Sequence, residues 1–324
     1  MNLHKFDSAW EGISTRGMLP SVTLRSGIST ALQAVPYWRE RIKLEVRAAY
    51  HRKHTRRWLQ LLNSHPVFSE LVRDCPRLLY KIYRPYLTHG LPMERRIALL
   101  ASHYSILFQR GLGPLVAQAV RGGVLLGTIE GKSGAPYQLR LHAVSQLERE
   151  GELTLQLCDA DGPVYSAAFT FSDLEGVHCV SIGCIQGPKG EHGLDAIRNA
   201  TRELHGLRPK QLLVALIRQL GFEFGCTQLW LVGNCNRVVR SAMRQGRVRA
   251  DYDELWNELG ADLLPCGDYR LPCEALRMPD MEAIASKKRS EARKRYALLQ
   301  ECAAVVSARL GCTPGAFQGD QRVA

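Results

Sequence analysis

Between Gly123 and Gln186, five short apolar-rich runs follow one another with only turns between them: Gly123–Glu130, Tyr137–Val144, Leu153–Cys158, Val164–Phe171 and Val177–Gln186. The separators are Lys132-Ser133-Gly134, Arg149-Glu150-Gly151, Asp159-Ala160-Asp161-Gly162-Pro163 and Asp173-Leu174-Glu175-Gly176. A parallel strand pair needs a crossover of about a dozen residues, so strands joined this tightly must run antiparallel. The stretch predicts an antiparallel meander.

Either side of it the period changes. Tyr37–Leu62 is helix-like, and Val67–Leu87 reads as two short helical pieces broken at Pro76 and ended by Pro85. In Pro92–Arg110 the residues Ile97, Leu100, Ala101, Tyr104, Leu107 and Phe108 recur at three and four, which makes one face. After the meander, Gly193–Leu204 and Pro209–Phe224 read as helices, Thr227–Val232 as a buried strand and Asn236–Arg244 as a further helix. Strand, helix, strand in that order predicts that the last strand runs parallel to its neighbour. Residues 251–283 are mixed and proline-broken, and Ile284–Ala308 is a basic, Ala-rich helix. The expected fold class is α+β: a loosely structured segment (1–35), an α-helical basic region (36–112), a domain built on a mixed, mostly antiparallel sheet (113–283), and a basic helix and tail (284–324).

Charge follows the same division. The chain has 324 residues and a net charge of +12. Residues 1–110 hold 18 Lys+Arg against 7 Asp+Glu, residues 111–283 hold 17 against 21, and residues 284–324 hold 8 against 3. Two basic ends thus flank a mildly acidic middle, an asymmetry that can mark contact with nucleic acid or anionic lipid. The longest charge-free apolar stretches, Ile97–Gln109 and Gly176–Pro188, are 13 residues each. Both fall short of the roughly 20 a membrane-spanning helix needs. No secretory signal is visible at Met1–Gly12, and the ten cysteines contain no Cys-x-x-Cys. A cytoplasmic protein with inert thiols is the expectation. Only His178, Cys179 and Cys184 cluster, and strand alternation puts Cys179 on the opposite face, so no metal is expected.

Ordered stretches along the chain resemble the bacterial VirK/YbjX family. They are His65-Pro66, Tyr80-Lys81-Ile82-Tyr83-Arg84-Pro85-Tyr86-Leu87, His103-Tyr104, Ile182-Gly183-Cys184-Ile185-Gln186-Gly187-Pro188 and Thr201 leading to His205-Gly206-Leu207-Arg208-Pro209-Lys210. Val232–Asn236, Tyr252-Asp253-Glu254-Leu255-Trp256 and Ser286-Lys287-Lys288-Arg289-Ser290 with Arg293, Arg295 and Tyr296 complete the series over roughly residues 60–300. The resemblance implies a link to virulence, envelope stress response and antimicrobial-peptide resistance, with a further link to DNA damage. It implies no reaction.

The chemistry must be sought in the residues. Gln186-Gly187-Pro188-Lys189-Gly190-Glu191-His192-Gly193 follows a strand and precedes a helix, and such a loop can turn backbone N–H groups toward a phosphate. Arg208-Pro209-Lys210 opens the next helix, where two cations add to the positive dipole end. The order meander, strand, glycine-rich loop, helix, strand, Asn, helix looks like the GNAT acyltransferase fold. That likeness implies an acyl-CoA pyrophosphate on the loop, with Asn234 or Asn236 after the next strand. The extra helix Gly193–Leu204 leaves three options for the cradle: Gln186–Gly193, Gly206–Lys210, or neither. Acyl transfer to an amine needs a proton acceptor. Glu175, His178, Glu203 and His205 lie near in sequence, and His205 is the first choice because imidazole titrates near neutrality. A helix-end histidine held by a carbonyl is the plainer reading.

A second function competes. Arg52, Lys53, Arg56 and Arg57 fall at helical spacing beside Trp58, and Lys287, Lys288 and Arg289 open the last helix. These ends can neutralise phosphates of RNA or DNA, with Trp58 stacking on a base, or lean on an anionic membrane surface. A solvated charged face is the plainer reading of both ends. Two expectations therefore stand: an acyl or aminoacyl transferase using a phosphorylated donor such as acyl-CoA, or a nonenzymatic regulator that binds an anionic polymer or membrane.

Overall fold

The computed structural model describes residues 21–27, 34–144, 147–174, 176–188, 190–239 and 250–311. The helical region comprises α1 (Ala34–Tyr50), α2 (Arg52–Leu62), α3 (Pro66–Asp74), a 3-10 segment (Pro76–Tyr83), α4 (Met93–Gln109) and α5 (Gly113–Gly122). The helix expected over Tyr37–Leu62 is two helices, because His51 adopts a non-helical conformation (φ −111°, ψ 40°). In α2, Thr55, Trp58, Leu61 and Leu62 are buried at spacings of three and four.

The meander is present: β1 (Val124–Glu130), β2 (Pro136–Ala143), β3 (Leu153–Asp159), β4 (Gly162–Leu174) and β5 (Val177–Gln186) pair antiparallel in sequence order. The chain then crosses over through α6 (Glu191–Glu203) and α7 (Pro209–Glu223) to β6 (Gln228–Leu231), which lies parallel to β5. Beyond α8 (Tyr252–Glu258), the short strands β7 (Asp262–Leu263) and β8 (Tyr269–Pro272) complete a mixed sheet of order β1-β2-β3-β4-β5-β6-β8-β7. The last helix, α9 (Ser286–Arg309), packs on α7 and β1. Of the helix expected over Asn236–Arg244, Asn234–Asn236 is a 3-10 turn and Arg237 bridges to Thr88; residues 240–244 lie outside the described set.

One apolar core runs across the boundary expected at residue 112, from Val22 through the helical region and sheet to Leu310. Within it sits a buried polar network. Lys81, from the 3-10 segment, donates to Glu152 just before β3, and Tyr104 of α4 donates to the other carboxylate oxygen at 2.6 Å. The Tyr86 hydroxyl meets Thr170 at 2.9 Å, and the same threonine hydroxyl accepts the Glu152 backbone N–H at 3.1 Å. His103 Nδ1 accepts the Phe171 N–H at 3.1 Å, which leaves the proton on Nε2, and that atom has no partner among the described residues. Burial raises the Glu152 pKa, but Lys81, His103 and the two hydrogen bonds outweigh it, so the net shift is downward.

β5 and β6 pair only over Cys179–Ile182 and Gln228–Leu231, and β5 then continues alone against β4. The helix α8 closes the gap. The Tyr252 hydroxyl accepts the Ile185 N–H at 2.9 Å and donates toward Cys184 Sγ at 3.3 Å. Trp256 Nε1 donates to the Val232 carbonyl at 3.0 Å. Gly183 sits where the strands part: a Cβ there would lie 2.0 Å from the Glu150 carbonyl oxygen, so no side chain fits.

Burial lowers the His103 pKa from 6.5 to about 4, so its contribution is complete above pH 6.5 and is lost as pH falls toward 4. Denaturation across that window should show a slope about one proton, or roughly 1.4 kcal/mol per pH unit, steeper than in His103→Asn; equal slopes would contradict the placement. Tyr252→Phe should cost about 1–3 kcal/mol in urea denaturation, because it strands the buried Ile185 N–H. A neutral result would show that α8 does not lace the two strands.

Candidate functional site

A pocket rich in cations lies where α6 ends and α7 begins, against β4. It measures about 620 Å³ and is lined by Tyr165, Ile197, Arg198, Thr201, Arg202, Arg208, Pro209 and Lys210. Its apolar wall is Tyr165, Ile197 and Pro209; the rest carries four cations. The sequence builds this locally. Ile197 with Thr201, and Arg198 with Arg202, sit four residues apart on α6, so two adjacent rows face the same way. His205 and Gly206 then adopt positive φ (54° and 78°), which ends α6 and turns the chain into Arg208. Pro209 occupies the first turn of α7, where its missing N–H costs nothing.

The cations are held in place. Arg208 meets the Glu258 carboxylate at 3.0 Å and Lys210 reaches it at 3.5 Å. Arg198 pairs with Asp195 at 3.0 Å, and Arg202 donates to Asn199 at 2.6 Å. The Glu258 carboxyl lies below its ordinary pKa, chiefly through Lys210, despite an opposing effect of burial. It is therefore ionised at neutral pH and competes with any bound anion for the same two cations. Tyr165 is half-buried, and burial raises its phenol above the usual range, so it remains a proton donor at neutral pH.

Of the residues expected at a phosphate site, Arg208 and Lys210 line this pocket, while Gln186 and Gly190 do not. Gly187 approaches it from behind: a Cβ there would stand 2.8 Å from both Tyr165 and Ile197. Lys189 and Glu175 lie outside the described residues. Asn234 is placed elsewhere. Its amide donates to Asp251 at 2.7 Å and accepts the Tyr252 N–H at 3.0 Å, which ties it to the start of α8. Asn236 donates to the Cys266 carbonyl and to Asp268.

His205 is not among the pocket-lining residues, and its carbonyl accepts from Arg295 Nε at 3.1 Å. Glu203 accepts the N–H and hydroxyl of Ser133, both at 2.8 Å, and so braces the β1–β2 turn. His178 lies at the opposite end of β5, 3.6 Å from Asp173. Sequence reasoning missed Tyr165, Arg198 and Arg202. The paired four-residue spacing on α6 was a readable signal for the arginines, but nothing in the Val164–Phe171 run marked the tyrosine.

A second cluster gathers Glu150, Cys184, Arg237 and Tyr252, all buried. Arg237 stacks 3.6 Å over the Tyr252 ring and donates to the Ala250 carbonyl, while its Nε has no partner among the described residues. Burial and the neighbouring Glu150 push the Cys184 thiol far up, so it stays protonated and is no nucleophile. Among the described residues, no group of three or more His, Cys, Asp or Glu could hold a metal ion.

At the basic ends, Arg52, Lys53 and Arg56 are exposed, and Arg57 pairs with Glu94 at 2.9 Å. Trp58 does not offer a stacking face: it is 1% exposed, because helical spacing places it with Thr55, Leu61 and Leu62 on the inner side of α2. Lys287 and Lys288 are exposed, whereas Arg289 folds back onto the Ile284 carbonyl.

Comparison with known proteins bears on the family. The profile described as a protein of unknown function, DUF535, matches residues 33–308. The uncharacterized protein YbjX of Escherichia coli is 30% identical over 247 residues, 75% of this chain and 74% of its own length. A Mannheimia haemolytica protein named membrane protein LapB is 24% identical over 60% of this chain and 82% of its own. Among solved structures, a cAMP-binding acyltransferase from Mycobacterium smegmatis aligns over 67% of this chain and 63% of that one, at 12% identity and a TM-score of 0.27. A likeness that slight says nothing about activity. On the profile match and the YbjX identity together, the chain belongs to the DUF535 (VirK/YbjX) family.

Proposed function

We propose that the protein binds a phosphorylated small molecule of the acyl-CoA class in the pocket between α6 and the start of α7, and that it transfers the acyl group to an amine acceptor. The observation that carries the reading is the convergence of Arg198, Arg202, Arg208 and Lys210 on one concave site at a helix N-terminus. Its volume of about 620 Å³ falls within the usual range for ligand pockets. The apolar wall of Tyr165, Ile197 and Pro209 suits a ligand with a base or thioester arm beside its phosphates. In this reading Arg208 and Lys210 exchange the Glu258 carboxylate for ligand phosphate, and Arg198 and Arg202 close the other side.

Tyr165 supplies the proton for the leaving thiolate. The amine must lose a proton as the acyl carbon is attacked; with His205 outside the pocket this reading assigns an ordered water as acceptor, and that proton returns through solvent to the Tyr165 phenolate, so acyl-CoA and amine leave as amide and free CoA thiol. Glu258 then acts as an internal stand-in for the ligand, holding the two cations in position until phosphate displaces it.

Titration of acetyl-CoA and free CoA into the purified protein, followed by thermal stability, tests this directly. Ligand that binds only the folded state adds about 2.7 kcal/mol at a hundredfold excess over Kd. Arg202→Ala and Arg208→Ala should each weaken binding by about tenfold, the loss of one charge-assisted contact. Tyr165→Phe should keep the stability shift and lose turnover. No saturable shift with either compound would refute the donor assignment.

A further inference from the structure

We propose that α1 docks the protein on an anionic lipid bilayer, through an exposed apolar stripe flanked by a row of cations. Trp38, Ile42, Val46 and Tyr50 recur every four residues, and their exposures are 54%, 57%, 62% and 84%. Leu44 and Ala48, on the opposite side of the same helix, are buried in the core. The helix is therefore apolar on two faces, and one of them meets solvent. From Trp38 to Tyr50 the stripe runs about 18 Å, long enough to lie along a surface and far too short to cross one. No helix among the described residues is long and apolar enough to cross a membrane.

The ends of the stripe are aromatic and its middle is aliphatic. Indole and phenol rings join an apolar body to a polar tip, which suits the headgroup boundary, while Ile42 and Val46 suit the acyl region beneath it.

Charge decides among possible partners. Arg39, Lys43 and Arg47 form an exposed row, each one residue on from a stripe residue and also spaced by four. Exposed Arg52, Lys53 and Arg56 follow on α2. Residues 34–62 hold eight Lys+Arg and two Asp+Glu, and both acids are already engaged, Glu40 with Lys43 and Glu45 with Arg41. A second copy of the same face would bring a net +6 against +6, which repels. A nucleic acid would use the cations and leave Ile42 and Val46 without a role. An anionic bilayer uses both rows at once, since basic side chains near such a surface add about 1 kcal/mol each. Beside the stripe, a groove of about 700 Å³ between α1 and α2 is lined by Arg52 and Arg56, by apolar Val22, Leu24 and Leu59, and by Glu45, whose carboxylate is taken by Arg41, a mixture that fits a lipid phosphate beside an acyl segment.

The test is co-sedimentation of the full chain with vesicles of phosphatidylcholine alone and of phosphatidylcholine mixed with phosphatidylglycerol. Binding to the mixed vesicles alone is expected. Ile42→Ser with Val46→Ser should lower partitioning by about tenfold with no change in melting temperature, because both side chains are exposed. Arg39→Ser, Lys43→Ser and Arg47→Ser together should abolish the preference for the anionic lipid. Three results would overturn the proposal: no binding to mixed vesicles at low salt, binding indifferent to Ile42 and Val46, or a stripe variant that turns a dimer into a monomer in the absence of lipid. The last would assign the stripe to a second copy.

Discussion

The Glu152 carboxylate holds the helical region to the sheet. One oxygen takes the Lys81 ammonium and the other takes the Tyr104 hydroxyl. Each donor comes from a different helical element, while Glu152 immediately precedes β3 and its first strand pair, Leu153 with Phe169. Burying both charges costs several kcal/mol each unless geometry and further hydrogen bonds offset the loss. The offset here is the two tyrosines, Thr170 and the surrounding strands. An arrangement that is favourable only when complete leaves the helical region one way to sit on the sheet. The packing of α4 on β4, with His103 over Phe171, follows from that seat.

The parting of β5 and β6 is the second constraint. Parallel strands that separate leave backbone groups to satisfy, and α8 supplies them from Tyr252 and Trp256. The same crossover, α6 and α7, brings the arginines of one helix to the N-terminus of the next. Helix lacing and the cationic pocket thus arise from one topological event, the switch from antiparallel meander to parallel crossover. The turn at His205 and Gly206 sets Arg198 and Arg202 of α6 beside Arg208 and Lys210 of α7, so a single helix–turn–helix segment presents all four cations.

The meander was legible because strand runs and turns are local, and so was the β5–α6–α7–β6 crossover, since strand and helix periods alternate there. The helix α5 was not: Gly113, Gly122 and Gly123 bracket its Leu115–Val120 run and make it resemble loop or strand. The short strands β7 and β8 were hidden by their brevity and by Pro265 and Pro272. At the site, Arg208 and Lys210 could be read from a helix start, whereas Tyr165 reaches the pocket only through sheet geometry. Trp58 was misread because a basic run on one side of a helix says nothing of the residue on its other side. Lys81 and Tyr104 lie in stretches that carry the family resemblance, yet their common partner Glu152 is 71 and 48 residues away and no spacing rule reaches it.

A double-mutant cycle in urea over Lys81→Met, Glu152→Gln and the combined variant tests the clamp most directly. Each single change leaves a buried polar group without its partner and should cost about 3–5 kcal/mol. The combined variant should cost clearly less than the sum of the two, or refold where a single variant does not. Additive losses would mean that the two side chains do not depend on each other, and that something other than Glu152 seats the helices on the sheet.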